Sequence, residues 1–203
     1  MISGRIYFKV AVILLIAGIY ACTRYVIFGN IYWIQIPVKI LNKAMAVSAV
    51  FTLMISALGN LKGQGKVARD WGIVTLHLTL YHVLLSLLIL TPLYYDDFYW
   101  NDVLTLDGNL VMSFGAFGTY CLAMLYMSRA WTTRMAVFKV LASFATGAHI
   151  FVMAWGGWLQ PERWYGHMPP ISLWSFLFTL VALGIYLRFE DARFEASPVS
   201  REK

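Results

Sequence analysis

The stretch WGIVTLHLTLYHVLLSLLILTPL, residues Trp71–Leu93, contains no aspartate, glutamate, lysine or arginine. A bilayer core about 30 Å thick is crossed by about 20 apolar residues of α-helix, so this stretch is long enough for one membrane-spanning helix. His82 lies in its middle. Because an ionisable side chain is costly in hydrocarbon, a histidine there indicates a functional site, with ligation of a metal or cofactor as the leading reason.

Five more apolar stretches of similar length accompany it. They are Ile6–Phe28, Leu41–Leu61, Leu106–Ser128, Met135–Leu159 and Ile171–Phe189. Of the 203 residues, 60% are hydrophobic and 13% are charged, whereas soluble domains are about 45–50% apolar and about 25% charged. We therefore predict an all-α integral membrane protein, a six-helix bundle that forms a single transmembrane domain over residues 1–203 and contacts membrane lipid.

The basic residues are distributed unevenly between the two ends of these predicted helices. Twelve of the sixteen fall at one end: Arg5, Lys9, Lys62, Lys66, Arg69, Arg129, Arg134, Lys139, Arg188, Arg193, Arg201 and Lys203. The other end holds the remaining four and an acidic loop with Asp96, Asp97, Asp102 and Asp107. The positive-inside rule then predicts cytoplasmic N- and C-termini. Since topology explains the net charge of +6, we expect no nucleic-acid partner.

A second histidine, His149, occupies the same kind of position in the fifth apolar stretch. His82 lies eleven residues from Trp71 and His149 twelve residues from Val137, which places them roughly 16 Å and roughly 18 Å into their helices. These two helices run in the same direction, so the imidazoles are expected to be level, near the midplane. Neutral imidazoles on facing helices are suited to be the two axial ligands of a haem iron. The alternative is that each histidine hydrogen-bonds a neighbouring helix.

Three other side chains are weaker candidates for the surroundings of a haem or quinone. His77 lies five residues before His82, about 140° away around the helix, so both cannot face one iron. It is expected to contact a neighbouring helix, with a second haem, a propionate or a quinone as alternatives. His167 is expected at the surface, with a quinone or propionate contact as the alternative. Arg24 is expected to extend towards the outer surface, although it could also pair with a propionate.

Several short segments resemble the ferric reductase-like transmembrane domain family. The resemblance covers residues from about Asn42 to Phe189 and consists of degenerate motifs. They are Asn42-Lys43, Arg69-Asp70-Trp71-Gly72 followed by Leu76–Leu85, Leu104–Gly108, Met127-Ser128, Trp131 and His149. In the family, a basic residue and a glycine precede a ligand histidine by about three helical turns, as Arg69 and Gly72 precede His82 here.

This resemblance implies a bundle that carries b-type haem between the third and fifth helices, with His82 and His149 as axial ligands. Family members include NADPH oxidases, ferric reductases and the membrane partner of periplasmic methionine sulfoxide reductase. Two-haem members have a second histidine about four helical turns from the first on both helices. Those positions here are Ala68, Arg69, Tyr95 and Asp96 on one helix and Met135, Ala136, Glu162 and Arg163 on the other. One haem b is therefore expected.

The chain has neither a GxGxxG motif nor a P-loop, so we expect no nucleotide or flavin domain of its own. Electrons would come from quinol or a cytoplasmic reductase and pass to a protein redox partner, and whether the chain is itself an enzyme stays open. The expected location is the bacterial inner membrane. The alternative is a haem-free structural or assembly subunit of a larger membrane complex. A small transporter is disfavoured, because no paired broken helices are apparent.

Overall fold

The computed structural model describes residues 4–29, 33–127 and 134–195. Over these ranges the chain forms six long helices, and the predicted all-α architecture is confirmed. The helices are α1 (Gly4–Cys22), α2 (Ile36–Leu61), α3 (Gly65–Leu88), α4 (Leu106–Met127), α5 (Arg134–Trp158) and α6 (Ile171–Glu195). By length and composition, six helical spans in this part of the chain could each cross a membrane.

Two of the helices differ from their predicted spans in a way that proline explains. Helix α2 begins more than a turn earlier, at Ile36, with Pro37 in its first turn. A proline there removes no helical hydrogen bond, because the first amides of a helix have no acceptor within it. Helix α3 ends at Leu88 rather than Leu93. Pro92 cannot continue a helix and also disfavours helical geometry in the residue before it.

The helices pack as a ring with α1 outside it. Helix α2 packs against α1, α3 and α6, while α5 packs against α4 and α6. Helix α4 contacts both α3 and α5 and closes the ring between them. Thr52 of α2 and Thr75 of α3 share a hydrogen bond of 3.0 Å between their hydroxyls. Such bonds join helices where no water is present to compete.

Small residues set the close approach of α4, α5 and α6. A Cβ added to Gly118 of α4 would lie 3.3 Å from Thr146 Oγ1, and one added to Gly147 of α5 would lie 3.3 Å from Thr179 Cγ2. Ala145 and Ala182 have no exposed surface. Larger apolar side chains point outwards instead, as Phe8 and Leu88 do at 72% and 74% exposure. Small residues inside and large apolar ones outside are what a bundle in lipid requires.

The loops at one end of the bundle, residues 89–105 and 159–170, form what we call the loop end. The first contains a two-stranded hairpin of β1 (Tyr99–Trp100) and β2 (Val103–Leu104). Asn101 and Asp102 turn the hairpin with φ of 49° and 60°, as a two-residue turn requires. The second loop receives a 2.7 Å hydrogen bond from Tyr20 Oη to the Pro169 carbonyl. Because α1 ends where α6 begins, the first residues of α1 and the last of α6 lie at the opposite end.

The loop before α6 depends on a glycine. Gly166 has φ of 57°, and a Cβ there would lie 2.5 Å from the ring of Phe28. We expect Gly166→Ala to lower the free energy of unfolding by about 1–3 kcal/mol, because alanine is strained at this φ and clashes with the ring. Thermal unfolding in detergent measures the change. Gly156→Ala is the control, since nothing lies within 4 Å of its added Cβ. Equal melting temperatures for the two variants would contradict the prediction.

Candidate functional site

His82 of α3 and His149 of α5 face each other across the ring of helices. Their ring centroids are 6.5 Å apart and their planes are inclined by 82°. The sequence predicts level histidines, and the structure places them side by side. They are not central, however. Because α3 extends from Gly65 to Leu88, His82 lies about 9 Å from the end of its helix at the loop end. His149 lies about 14 Å before Trp158, where α5 ends.

Asn42 of α2 holds the ring of His82. The Oδ1 atom of Asn42 lies 2.6 Å from His82 Nδ1 and also accepts a hydrogen bond from Ser86 Oγ at 3.2 Å. The amide nitrogen of Asn42 donates to Tyr95 Oη at 3.3 Å. Since this contact assigns the amide nitrogen to the tyrosine, Oδ1 is the atom that faces the histidine. An amide oxygen only accepts, so the hydrogen-bond network assigns the His82 proton to Nδ1.

A backbone carbonyl holds the ring of His149, as the Asn42 side chain holds that of His82. His149 Nδ1 lies 2.8 Å from the carbonyl oxygen of Val111 in α4. A carbonyl oxygen cannot donate, so His149 Nδ1 carries the proton and Nε2 keeps its lone pair. In the part of the chain that the structure describes, neither Nε2 has a hydrogen-bond partner. Two half-buried imidazoles with ring centroids 6.5 Å apart therefore each keep an unpaired Nε2 lone pair.

This arrangement fits ligation of one metal by both rings. A metal–nitrogen bond is about 2.0–2.1 Å, so rings bound to one metal from opposite sides have centroids about 6 Å apart, because each centroid lies about 1 Å behind its nitrogen. The observed separation is 6.5 Å. Histidine ligands also characteristically donate their other N–H to a carbonyl or carboxylate, which fixes the ring and its tautomer. Both histidines have such an acceptor at Nδ1.

The described residues supply only these two ligands at the site. Among the described residues, no group of three or more His, Cys, Asp or Glu could hold a metal ion. A site made of protein ligands alone usually needs three or four. A haem needs only two axial side chains, because its macrocycle supplies the other four nitrogens. The donor set therefore fits a haem better than a bare metal ion.

In the part of the chain that the structure describes, the other predicted site residues make no hydrogen bond or ring contact with this pair. His77 is exposed on α3, and His167 is exposed in the loop before α6, with φ of 56°. Arg24 does not extend to the surface as expected: it is only 5% exposed. Its Nη1 donates to the Met168 carbonyl at 2.8 Å and to the Tyr165 carbonyl at 3.4 Å. The loop before α6 covers the guanidinium. Its carbonyls accept the hydrogen bonds that water would accept from an arginine at the protein surface.

Sequence reasoning missed the residues that hold the histidines. Asn42 appears in the sequence only as part of a degenerate motif, although an amide inside an apolar run is itself a signal of a buried polar contact. Val111 acts through its backbone, so its side chain gives no signal. Gly115 lies four residues after Val111, on the same face of α4. A Cβ at Gly115 would lie 3.0 Å from His149 Nδ1.

Comparison of the sequence with known protein families and with curated proteins finds no family and no relative that matches it.

Proposed function

We propose that the chain is a membrane-embedded b-type haem protein that relays single electrons, with His82 and His149 as the axial ligands. One observation carries the proposal: the two rings face each other, and each has its Nδ1 proton bound by an acceptor that leaves Nε2 unpaired. The resemblance of Arg69–Leu85 and His149 to the ferric reductase-like transmembrane domain supports the same function. When bound, a haem with two imidazole ligands supplies one-electron redox chemistry at its iron.

In this proposal the protein orients the two imidazole ligands and keeps other ligands away from the iron. Asn42 and Val111 fix both imidazoles in the tautomer that presents Nε2, and such contacts also raise the basicity of the ligand nitrogen. Ser86 keeps Asn42 in place through its hydrogen bond to Oδ1. If both imidazoles held the iron of a haem through Nε2, the group would supply electron transfer rather than oxygen chemistry.

The proposed orientation has both termini in the cytoplasm and the loop end outside, in a bacterial inner membrane. His82 then lies about 26 Å along α3 from Gly65 at the cytoplasmic end and only about 9 Å from the outer end. A protein partner at the outer face is therefore close to the histidine pair. On the donor side, a quinol dissolved in the bilayer can approach the pair more closely than a reductase at the cytoplasmic surface.

Anaerobic reduction of the purified protein tests the relay. Dithionite reduces any accessible haem and defines full reduction. Duroquinol and, in a separate sample, NADH with a soluble flavin reductase then show whether a quinol or a reductase can reduce the haem. We expect duroquinol to reduce the haem to a large fraction of the dithionite level. Reduction by dithionite alone would contradict the relay. Purification in haem-free form with another protein at fixed stoichiometry would favour a structural or assembly subunit instead.

Gly115→Ala tests whether the position of the His149 ring affects haem binding. The added methyl group would lie 3.0 Å from Nδ1 and 3.3 Å from Cε1 of His149, so the ring would have to shift by a few tenths of an ångström, which strains its bond to the Val111 carbonyl. We expect haem affinity to fall about tenfold, at the lower end of the effect of losing such a contact. Haem titration of the protein measures it. The control is Gly184→Ala, whose Cβ would meet nothing within 4 Å. Equal affinities in the two variants would count against the proposed role of His149.

A further inference from the structure

His77 is a polar side chain on the outer face of the bundle, halfway along α3. The helix runs from Gly65 to Leu88, so His77 lies about 18 Å from one end and about 17 Å from the other. In a bilayer it would lie near the middle of the hydrocarbon core. An imidazole is too short to reach the headgroups from that depth, as the long side chains of lysine and arginine do near helix ends.

His77 has no partner among the residues that the structure describes. Its side chain is exposed, and residues 4–29, 33–127 and 134–195 provide neither a hydrogen bond nor a ring contact to it. The contact with a neighbouring helix that the sequence predicts is therefore absent from these ranges. Ionisable groups inside membranes almost always pair with another group. His77 thus indicates a partner that this part of the chain does not supply.

Five large side chains continue the face of α3 on which His77 lies. Each is between 43% and 74% exposed. They are Leu80, Tyr81, Leu84, Leu87 and Leu88. With His77 they form what we call the α3 stripe, which consists of three pairs of residues seven apart, beginning with His77 and Leu84. A seven-residue repeat keeps one side of a helix against a parallel partner helix along its length.

A second copy of this chain is the partner that best matches the α3 stripe. The positive-inside rule gives every copy the same orientation, so α3 of two copies would run parallel, with both His77 rings at one depth. Two-fold symmetry brings the same residue of both copies together. A neutral imidazole has one donor and one acceptor nitrogen, so one His77 ring can donate a hydrogen bond to the other. The stripe is thus complementary to itself.

The leucines of the stripe would not require a protein partner, because lipid tails are as apolar as leucine. The polar groups do: besides His77, the described residues give the Tyr81 hydroxyl no hydrogen bond, although Tyr81 is 58% exposed. A single polar residue in such a repeat also fixes the register of the two helices. We propose that the α3 stripe is the interface of a homodimer, with His77 hydrogen-bonded to its equivalent in the second copy.

Oxidative cross-linking in the membranes of expressing cells tests whether two stripes meet. Both native cysteines are first replaced, as Cys22→Ser and Cys121→Ala. Leu84→Cys then places one thiol on the α3 stripe, at the same position of the seven-residue repeat as His77. The control Leu177→Cys places the thiol on α6, where Leu177 is 42% exposed. A disulfide forms only where the two Cα atoms come within about 7 Å of each other.

We expect Leu84→Cys to convert most of the protein to a covalent dimer of twice the chain mass of 23.1 kDa, and Leu177→Cys to convert little of it. Equal yields at the two positions would indicate random collision and would overturn the proposal. A product of any other mass would show that a different protein covers the stripe, which also overturns it.

His77→Leu tests the hydrogen bond and keeps both native cysteines. Energy transfer between labelled copies in liposomes, over a range of protein-to-lipid ratios, gives the dissociation constant of the dimer. We expect it to rise about threefold to tenfold in His77→Leu, which loses an interhelical hydrogen bond. His77→Asn should dimerise nearly as wild type does, because an amide also donates and accepts.

A wild-type protein that stays monomeric, or a His77→Leu protein that dimerises as tightly as wild type, would contradict the proposed interface. Neither measurement depends on haem. A protein without haem would therefore refute the proposed function and leave the test of the dimer intact.

Discussion

His82→Ala is expected to abolish the b-type haem absorption of the purified protein, and His149→Ala is expected to do the same. Each substitution removes one of two ligands, and an iron held by a single imidazole would lose both its low-spin spectrum and most of its affinity. Alanine also removes the group that binds the acceptor on the neighbouring helix, Asn42 for His82 and Val111 for His149. The reduced-minus-oxidised spectrum, scaled to protein concentration, measures the effect.

His77→Ala is the matched control for this prediction. It replaces an exposed histidine of the same helix, five residues earlier. We expect its spectrum and haem content to equal those of wild type. Thermal unfolding in detergent shows whether each variant is folded. A folded His82→Ala or His149→Ala protein with the wild-type spectrum would exclude that histidine as a ligand.

Asn42→Leu is expected to weaken haem binding about 10–100-fold, the usual effect of losing a partner that orients a metal-bound histidine. Leucine has a similar size but cannot accept a hydrogen bond from His82 Nδ1, which would stay buried and unpaired. Such an unpaired donor costs about 1–3 kcal/mol, so a lower melting temperature is also expected. Haem titration, followed by absorbance, gives the affinity.

The control for Asn42→Leu is Asn109→Leu on α4. Asn109 is exposed, and its amide donates only to the carbonyls of Leu104 and Thr105 at the start of the helix. We expect this variant to bind haem as wild type does, with at most a small loss of stability. If Asn42→Leu also bound haem as tightly as wild type, the contact between Asn42 and His82 would have no part in ligation.

Most of the fold could be predicted from the sequence because apolar runs of helical length are a strong signal. The six runs mark six helices, and errors are confined to their ends. Residues Gly65–Asp70 are too polar to be counted in an apolar span, yet they continue α3 as a regular helix. At its other end, hydrophobicity continues to Leu93 while Pro92 has already ended the helix. Hydropathy reports how readily a segment enters lipid. The ends of a helix are instead set by where the backbone can form helical hydrogen bonds.

The candidate site was predictable only where a side chain carries the signal. Two histidines in apolar runs could be placed at one level by counting residues. Their hydrogen-bond partners could not, because Val111 acts through its carbonyl and Asn42 comes from a helix distant in sequence. Arg24 was expected at the surface, since arginine side chains are long enough to leave a membrane. Its burial depends on the loop that ends at Pro170, and no pattern near Arg24 reveals that loop.

The most direct test of the proposed function is the number of haem groups per polypeptide in protein purified from haem-replete cells. A pyridine haemochrome assay together with a protein determination gives this ratio. We predict one b-type haem per chain, because the structure brings one pair of histidines together at 6.5 Å. A folded, monodisperse protein that contains no haem and takes up none when haem is added would contradict the assignment of His82 and His149 as its ligands.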